Sequence, residues 1–349
     1  MREVSLRARG RMKGWCDRLV GGAAWVIVAG LLAVTLFGWL WPARWQDQST
    51  VWVATAYGAF IVRTLSLHIA IGAAALAAGL VVIRRPRAAV VAMPAVLMGF
   101  GSPVANMAPE SGTGPTGTRI TVMTANLFYR HPDVARVLDQ VRAEKPDIIF
   151  WQEYDRRAHE VLSAALGAEY PFRALPPEEG WGHETAIYSK IPLDSARTGV
   201  HPPGPRYTAA TAMIGGREVT LLSLHLRIAL GVEYFRQHRA DVVWCRQWLE
   251  RTQGPVILAG DFNATPNSQT GDAFRGLGMR DAFASRGGGL GFTWPAVSML
   301  RHLPGFRIDR VLHRGGVWCE RAWVGAAHGS DHRPVFATLI VPDGAGSVR

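Results

Sequence analysis

The sequence predicts a sheet-rich α/β domain, helices outside its sheets, carried behind an N-terminal helical membrane anchor. Two observations predict it. Before residue 109 the chain holds long stretches almost free of charge. After residue 118, short apolar runs alternate with amphipathic helical patterns over roughly 225 residues. Between the two, residues 109–118 (PESGTGPTGT) are Gly, Pro, Ser and Thr with one charge, a composition that suits a flexible linker. The expected organisation is therefore an anchor over 1–108, the linker over 109–118, a folded domain over 119–342 and a tail over 343–349. No internal repeat is visible.

The anchor is read from its apolar runs. Residues 21–41 (GGAAWVIVAGLLAVTLFGWLW) carry no charge, and about 20 apolar residues suffice to cross the hydrocarbon core as a helix. Trp39, Trp41 and Trp45 gather at one end, where indoles favour the lipid–water boundary. A second span is expected over 65–83 and a third, interrupted by Pro94, over 88–104. The apolar stretch 51–62 either extends the second span or lies along the interface. A cleaved signal peptide would have a shorter core and a small-residue cleavage site; a Trp-rich boundary and further spans follow here, so the first span is read as retained. Six Lys/Arg lie within residues 1–20, only Arg44 and Arg63 within 42–64, and three arginines within 84–87. The positive-inside rule then puts the N-terminus inside and the folded domain outside. In a bacterium this is an integral inner-membrane protein with an extracytoplasmic domain. Dropping the third span reverses that side.

Within the domain, strands are expected over 119–125, 147–152, 170–174, 184–189, 207–214, 217–224, 256–259, 308–312, 317–324 and 334–340. Helices are expected over 132–144, 156–166 and 233–251. Val134, Val137, Leu138 and Val141 recur at helical spacing, whereas DIIFWQ and VILA are short continuous apolar runs suited to buried strands. The chain's net charge is +11, yet residues 118–342 hold 26 Lys/Arg against 22 Asp/Glu, a net of +4. Such a balance lacks the concentrated basic stripe of a nucleic-acid grip. Three cysteines, Cys16, Cys245 and Cys319, are too few for a disulfide scaffold and lack metal-site spacing. Cys245 and Cys319 are read as buried thiols rather than a bridge.

Polar residues sit where apolar runs end. Asn126 follows TVMTA, Glu153 follows DIIFWQ, His225 closes TLLSL, Asp261 and Asn263 follow VILAG, Asp309 lies within FRIDRVL, and Asp331 and His332 precede RPVFATLIV. Each alone has a local explanation: a cap for Asn126, an exposed loop carboxylate for Glu153, an edge residue for His225, an arginine partner for Asp309, a turn for Asp331–His332. Together they supply two imidazoles, four carboxylates and two carboxamides at strand ends, where a rigid sheet commonly positions functional groups. That set suits one hard, oxygen-seeking cation with a water activator and phosphate-holding donors.

The ordered set Asn126, Gln152-Glu153, His225, GDFNATP at 260–266, IDRVL at 308–312 and GSDHRPV at 329–335 resembles the endonuclease/exonuclease/phosphatase superfamily over residues 118–342. Its members include deoxyribonucleases, apurinic endonucleases, bacterial sphingomyelinases and inositol polyphosphate phosphatases. The resemblance implies a four-layer αββα sandwich and Mg²⁺-dependent hydrolysis of a phosphate ester, with Mn²⁺ as a substitute ion. It implies Glu153 as principal metal ligand, with Asn126 and Asp331 assisting. Asp261 would orient or deprotonate the attacking water and Asn263 would fix its position. His332, oriented by Asp309, would touch the phosphate, and His225 would donate to a phosphate oxygen in the transition state. Either Asp261 or the Asp309–His332 pair is the base.

Candidates for further substrate contacts are Tyr188, Arg206 and Arg227, with His183 and Tyr207 beside them. Trp294, in GFTWP, either packs beneath the site or belongs to the core. The domain is short for the family, which argues against an inserted duplex-DNA grip. The expected partners are thus the bilayer, through the N-terminal helices, and a phosphate-ester substrate, nucleic acid or phospholipid head group; no protein partner can be inferred. The alternatives are a phosphomonoesterase acting on a small metabolite, a binding module that keeps the fold without catalysis, and a transport component. The last is disfavoured because the spans hold few ionisable residues, chiefly His68.

Overall fold

The structure, a computed structural model, describes residues 2–107, 112–130, 133–177, 182, 184–200 and 204–344. Contacts divide the chain into two units, one of Met1–Pro42 with Gly58–Pro103, the other of Ala43–Tyr57 with Val104–Arg349.

The first unit is built from α1 (Arg2–Leu40), the end of α2 (Thr50–Thr64), α3 (Ser66–Val82) and most of α4 (Pro86–Met107). Small residues line its interior: Ala24 and Val28 of α1 meet Ala77 and Leu80 of α3 and Ala88, Ala89 and Ala92 of α4. Such side chains let helix backbones approach closely. Among the described residues, one helix, Asp17–Leu40, is by itself long and apolar enough to cross a membrane. The second and third expected spans are less regular. α2 and α3 qualify only as a pair bent by 63°, and Pro86–Gly101 is a shorter apolar stretch. Arg85 Nη2 donates to the Asp17 carbonyl at 2.8 Å, which holds the turn between α3 and α4 beside the polar start of α1.

In the second unit, period-two burial makes two six-stranded sheets. The strands are β1 (Thr118–Asn126), β2 (Ile148–Tyr154), β3 (Phe172–Ala174), β4 (Glu184–Ser189), β5 (Leu193–Val200), β6 (Arg206–Ile214), β7 (Arg217–His225), β8 (Val256–Asp261), β9 (Arg280–Asp281), β10 (Asp309–Arg314), β11 (Trp318–Val324) and β12 (Val335–Val341). One sheet runs β11-β12-β1-β2-β4-β3, the other β5-β6-β7-β8-β10-β9. Ile120, Val122, Phe150, Leu221, Ile257 and Leu339 are among the side chains that fill the space between them. The alternate residues face outward. Met123, Ile149 and Trp151 pack under α5 (Val137–Glu144) and α6 (Arg156–Leu166). Leu222, Leu224 and Leu258 pack under α7 (Val232–Arg251) and α8 (Gln269–Gly276). The result is the expected four-layer αββα sandwich. Cys245 and Cys319 are buried, free thiols in different layers of the core. β5, β9, α8 and α9 (Ala282–Arg286) were not expected from the sequence.

Candidate active site

Each sheet centres on a parallel pair, β1–β2 and β7–β8. Moving along these strands toward their carboxyl ends, the inward-facing positions change from apolar to polar. Thr124 Oγ1 donates to Gln152 Oε1 at 3.0 Å, and Gln152 Nε2 donates to Ser223 Oγ at 3.1 Å, so a buried polar rung joins the two sheets. Beyond that rung the strands end in Asn126, Glu153, His225 and Asp261. β10 runs antiparallel to β8 and β12 antiparallel to β1, so their beginnings lie at the same end. Asp309 is thereby paired with Asp261, and His332 arrives just before β12. Strand direction alone therefore gathers residues spread over two hundred positions.

Local backbone distortions complete the aim. Regular alternation would turn Glu153 away from the slot, because its neighbour Gln152 faces in. The β2–β4 register shifts between Trp151 and Tyr154, and Glu153 adopts φ +53°; a bulge of this kind re-aims a side chain. Its Oε1 accepts from Asn126 Nδ2 at 3.1 Å and its Oε2 from the Tyr129 N–H at 2.9 Å. Gly260 has φ +153°, and a Cβ there would lie 1.9 Å from the Leu224 carbonyl oxygen. Only glycine lets β8 pass so close to β7. Asn263 has φ +45°, its N–H donating to Asp261 Oδ1 at 2.8 Å and its Nδ2 to the Leu226 carbonyl at 2.9 Å.

Asp261 is the meeting point. Around its Oδ2 stand Asn126 Nδ2 at 3.1 Å, Asn263 Nδ2 at 3.4 Å, His225 Nε2 at 3.7 Å and His332 Nε2 at 3.8 Å. His332 Nδ1 is 2.8 Å from Asp309 Oδ2. Ser330 Oγ donates to the Asn126 carbonyl at 2.8 Å and accepts from the His332 N–H. Thr293 Oγ1 accepts from the Asp309 N–H at 3.2 Å, and the Trp294 indole donates to Asp331 Oδ2 at 3.2 Å. Burial, then the adjacent Asp309 carboxylate, raises the Asp261 pKa. Burial alone would discharge His332, but Asp309 and Asp261 outweigh it and favour the imidazolium.

Asp309 Oδ1 and Asp331 Oδ1 are buried with no hydrogen-bond partner; Asp261, Asp309 and His332 also bring ligand-capable atoms within 4.8 Å of one another, but the His332–Asp309 hydrogen bond already joins two of the three. The open oxygen of Asp331, with the Glu153 carboxylate near it, fits a hard divalent cation.

Eight expected residues thus share one cleft: Asn126, Glu153, His225, Asp261, Asn263, Asp309, Asp331 and His332. Tyr188 does not join them. It is fully buried on the helix side of its sheet, its hydroxyl 2.7 Å from that of Tyr154 and 2.9 Å from Ser163 Oγ, so the expected substrate contact is withdrawn. Tyr207 is turned onto Trp244, ring centroids 4.6 Å apart. Arg227 stands at the rim, but its guanidinium is held by Asp241 at 2.9 Å and by the Gly204 carbonyl at 3.2 Å. Arg206 lies directly across from His225, 3.9 Å from Glu184. His183 lies outside the described residues. Sequence reasoning gave no role to Thr293 or Ser330; each is a hydroxyl beside a motif residue that orients it through the backbone.

These features fit a phosphate-ester hydrolase of the αββα type. The model of the endonuclease/exonuclease/phosphatase family matches residues 123–332, and the chain belongs to that family. Solved structures with the same fold include an endonuclease/exonuclease/phosphatase protein from Bacteroides vulgatus (18% identity, 64% of this chain and 99% of that one, TM-score 0.53). They also include a truncated TDP2 from Caenorhabditis elegans (21% identity, 64% and 98%, TM-score 0.51). A third is D. rerio TDP2, complexed with single-strand DNA product (16% identity, 64% and 99%, TM-score 0.51). Comparison with curated protein sequences gives no significant match.

Proposed function

We propose that the chain is a membrane-tethered phosphodiesterase that uses Mg²⁺, with Mn²⁺ as substitute. The observation that carries the chemistry is the convergence of Asn126, Asn263, His225 and His332 on one carboxylate oxygen of Asp261. Glu153, with Asn126 and Asp331 beside it, would hold the ion, which when bound neutralises phosphate charge and eases departure of the leaving oxygen. Asp261 accepts a proton from, or aligns, the attacking water; its raised pKa suits that task at neutral pH. Asn126 and Asn263 fix the carboxylate. His332, kept cationic and oriented by Asp309, and His225 donate to the phosphate oxygens, on which charge grows in the transition state. Arg206 adds a rim cation.

Tethering is supported by α1 and by the bond between Arg85 and the Asp17 carbonyl. That bond agrees with three crossings, α1 outward, α3 inward and α4 outward, the Arg-rich N-terminus inside and the sandwich outside. The test of activity is hydrolysis of bis-p-nitrophenyl phosphate by the full chain in detergent. Turnover is expected with Mg²⁺, to vanish with EDTA and to return when Mg²⁺ is restored. EDTA-insensitive turnover, or none with either ion, overturns the reading.

A further inference from the structure

Segment 43–57, which follows α1 directly, is built into the second unit. Arg239 of α7, only 1% exposed, donates to the carbonyls of Ala43 at 3.0 Å, Arg44 at 2.6 Å and Asp47 at 3.0 Å. Trp45 packs against the core beneath α7, and the Gly231 N–H donates to Tyr57 Oη at 2.9 Å. A segment adjoining the apolar helix α1 is therefore fastened to the loop that leaves β7 just past His225.

That loop is apolar where it is open. Ile228, Leu230 and Tyr234 are exposed on it and on the first turn of α7. A second loop, 295–305, enters β10 just ahead of Asp309 and exposes Met299, Leu300 and Leu303, with Arg301 among them; Met299 is 88% exposed. β7 and β10 are the two neighbours of β8, so the two apolar loops flank Asp261 on either side. Apolar tips beside a cationic side chain suit an interface of acyl chains and phosphate head groups.

We propose that these two loops form a lip that rests on a lipid bilayer surface, so that the substrate is the phosphodiester of a membrane phospholipid. This rests on the membrane-tethered phosphodiesterase reading above. In the reaction the oxygen of water bonds to phosphorus, one ester P–O bond breaks, and the water proton passes to the departing alkoxide. The products are an alcohol and a phosphate monoester.

The test uses the full chain in nanodiscs of phosphatidylethanolamine and phosphatidylglycerol, with and without brominated acyl chains. An environment-sensitive fluorophore is placed at Leu230→Cys or Met299→Cys, and at Met213→Cys, an exposed site at the opposite end of the β6–β7 hairpin, as control. Quenching by bromine is expected at the first two positions and not at the third. Equal quenching at all three, or none at the lip, overturns the proposal. Lipid phosphate-ester cleavage is then compared with turnover of bis-p-nitrophenyl phosphate and single-stranded DNA. Leu230→Ser with Met299→Ser and Leu303→Ser should lower lipid cleavage at least about tenfold, since apolar contact with the bilayer is lost, and leave the small diester unchanged. DNA cleavage without lipid cleavage overturns the substrate class while sparing the phosphodiesterase reading. Absence of turnover on the small diester sinks that reading itself, whatever the fluorophores report.

Discussion

At the scale of single residues, the site depends on polar groups that are buried and therefore cannot be exchanged lightly. Asp261→Asn keeps the shape of the side chain but removes the charge proposed to take or align a proton; on that proposal kcat on bis-p-nitrophenyl phosphate should fall by about 10²–10⁴ with KM little changed. A comparable fall in KM-limited binding, with kcat intact, would instead assign Asp261 to substrate holding. Asp309→Asn should cost less, because His332 keeps a hydrogen-bond partner but loses the carboxylate that favours its cationic form. Gly260→Ala is a different kind of change. Its Cβ would lie 1.9 Å from the Leu224 oxygen, so β7 and β8 must separate, and a loss of at least about 3 kcal/mol of stability is expected from overpacking. A melting temperature within a degree or two of the parent would show that the strands part without cost. Asn126, Glu153, His225, Asp261, Asn263, Asp309 and His332 were legible in the sequence because each closes or opens an apolar run. Tyr188 was misread because a tyrosine near a strand end looks the same whether it faces the slot or the helices, and only the sheet's parity decides.

At the scale of elements, α7 carries two titratable groups that oppose each other. His238 is wholly buried between the Arg227 carbonyl at 2.7 Å and Thr270 Oγ1 at 2.8 Å, and burial pushes its pKa down to about 4 from 6.5. The unfolded chain binds that proton and the folded one refuses it, so this contribution is complete above pH 6.5 and is lost as pH falls toward 4. Asp241, three residues on, is pushed up to about 6 from 3.8 by burial, against the pull of Arg227. Its contribution has the reverse sign: complete below pH 3.8, lost as pH rises toward 6. Each shift is worth roughly 3 kcal/mol, so between pH 4 and 6 they nearly cancel. His238→Gln should leave a protein whose melting temperature falls across that window, and Asp241→Asn one whose melting temperature climbs. Melts of both variants at pH 4, 5 and 6 decide the matter; parallel profiles would remove either group from the account. The helix itself was visible as an amphipathic run. By contrast β5, Leu193–Val200, went unseen because it is an edge strand of LDSARTGV composition with little to bury, and α8 and α9 are too short to show a helical period.

At the scale of the whole molecule, the boundary drawn from composition and the one drawn by contacts differ. Composition puts everything before residue 109 with the anchor, whereas Ala43–Tyr57 belongs with the sandwich. Nothing in the apolar run 51–62 announces this, because the deciding residue, Arg239, lies nearly two hundred positions away. The consequence is testable by truncation. A fragment beginning at residue 112 keeps both sheets and every candidate catalytic residue. It loses the carbonyls of Ala43, Arg44 and Asp47 that satisfy Arg239, and the Trp45 ring that packs on the core. A buried guanidinium stripped of its acceptors either turns to water, opening the N-terminal part of α7, or stays unsatisfied at a cost of about 1–3 kcal/mol for each lost charged hydrogen bond. The fragment should therefore melt several degrees below the full chain. Arg239→Leu within the fragment should recover part of the loss, since an apolar side chain needs no acceptor there. The same substitution in the full chain should destabilise it, because the three carbonyls are then left without donors. Opposite signs for one substitution in the two contexts, read by thermal melting, identify Arg239 as a clamp on the strap rather than a residue that serves α7 alone; equal signs would refute it.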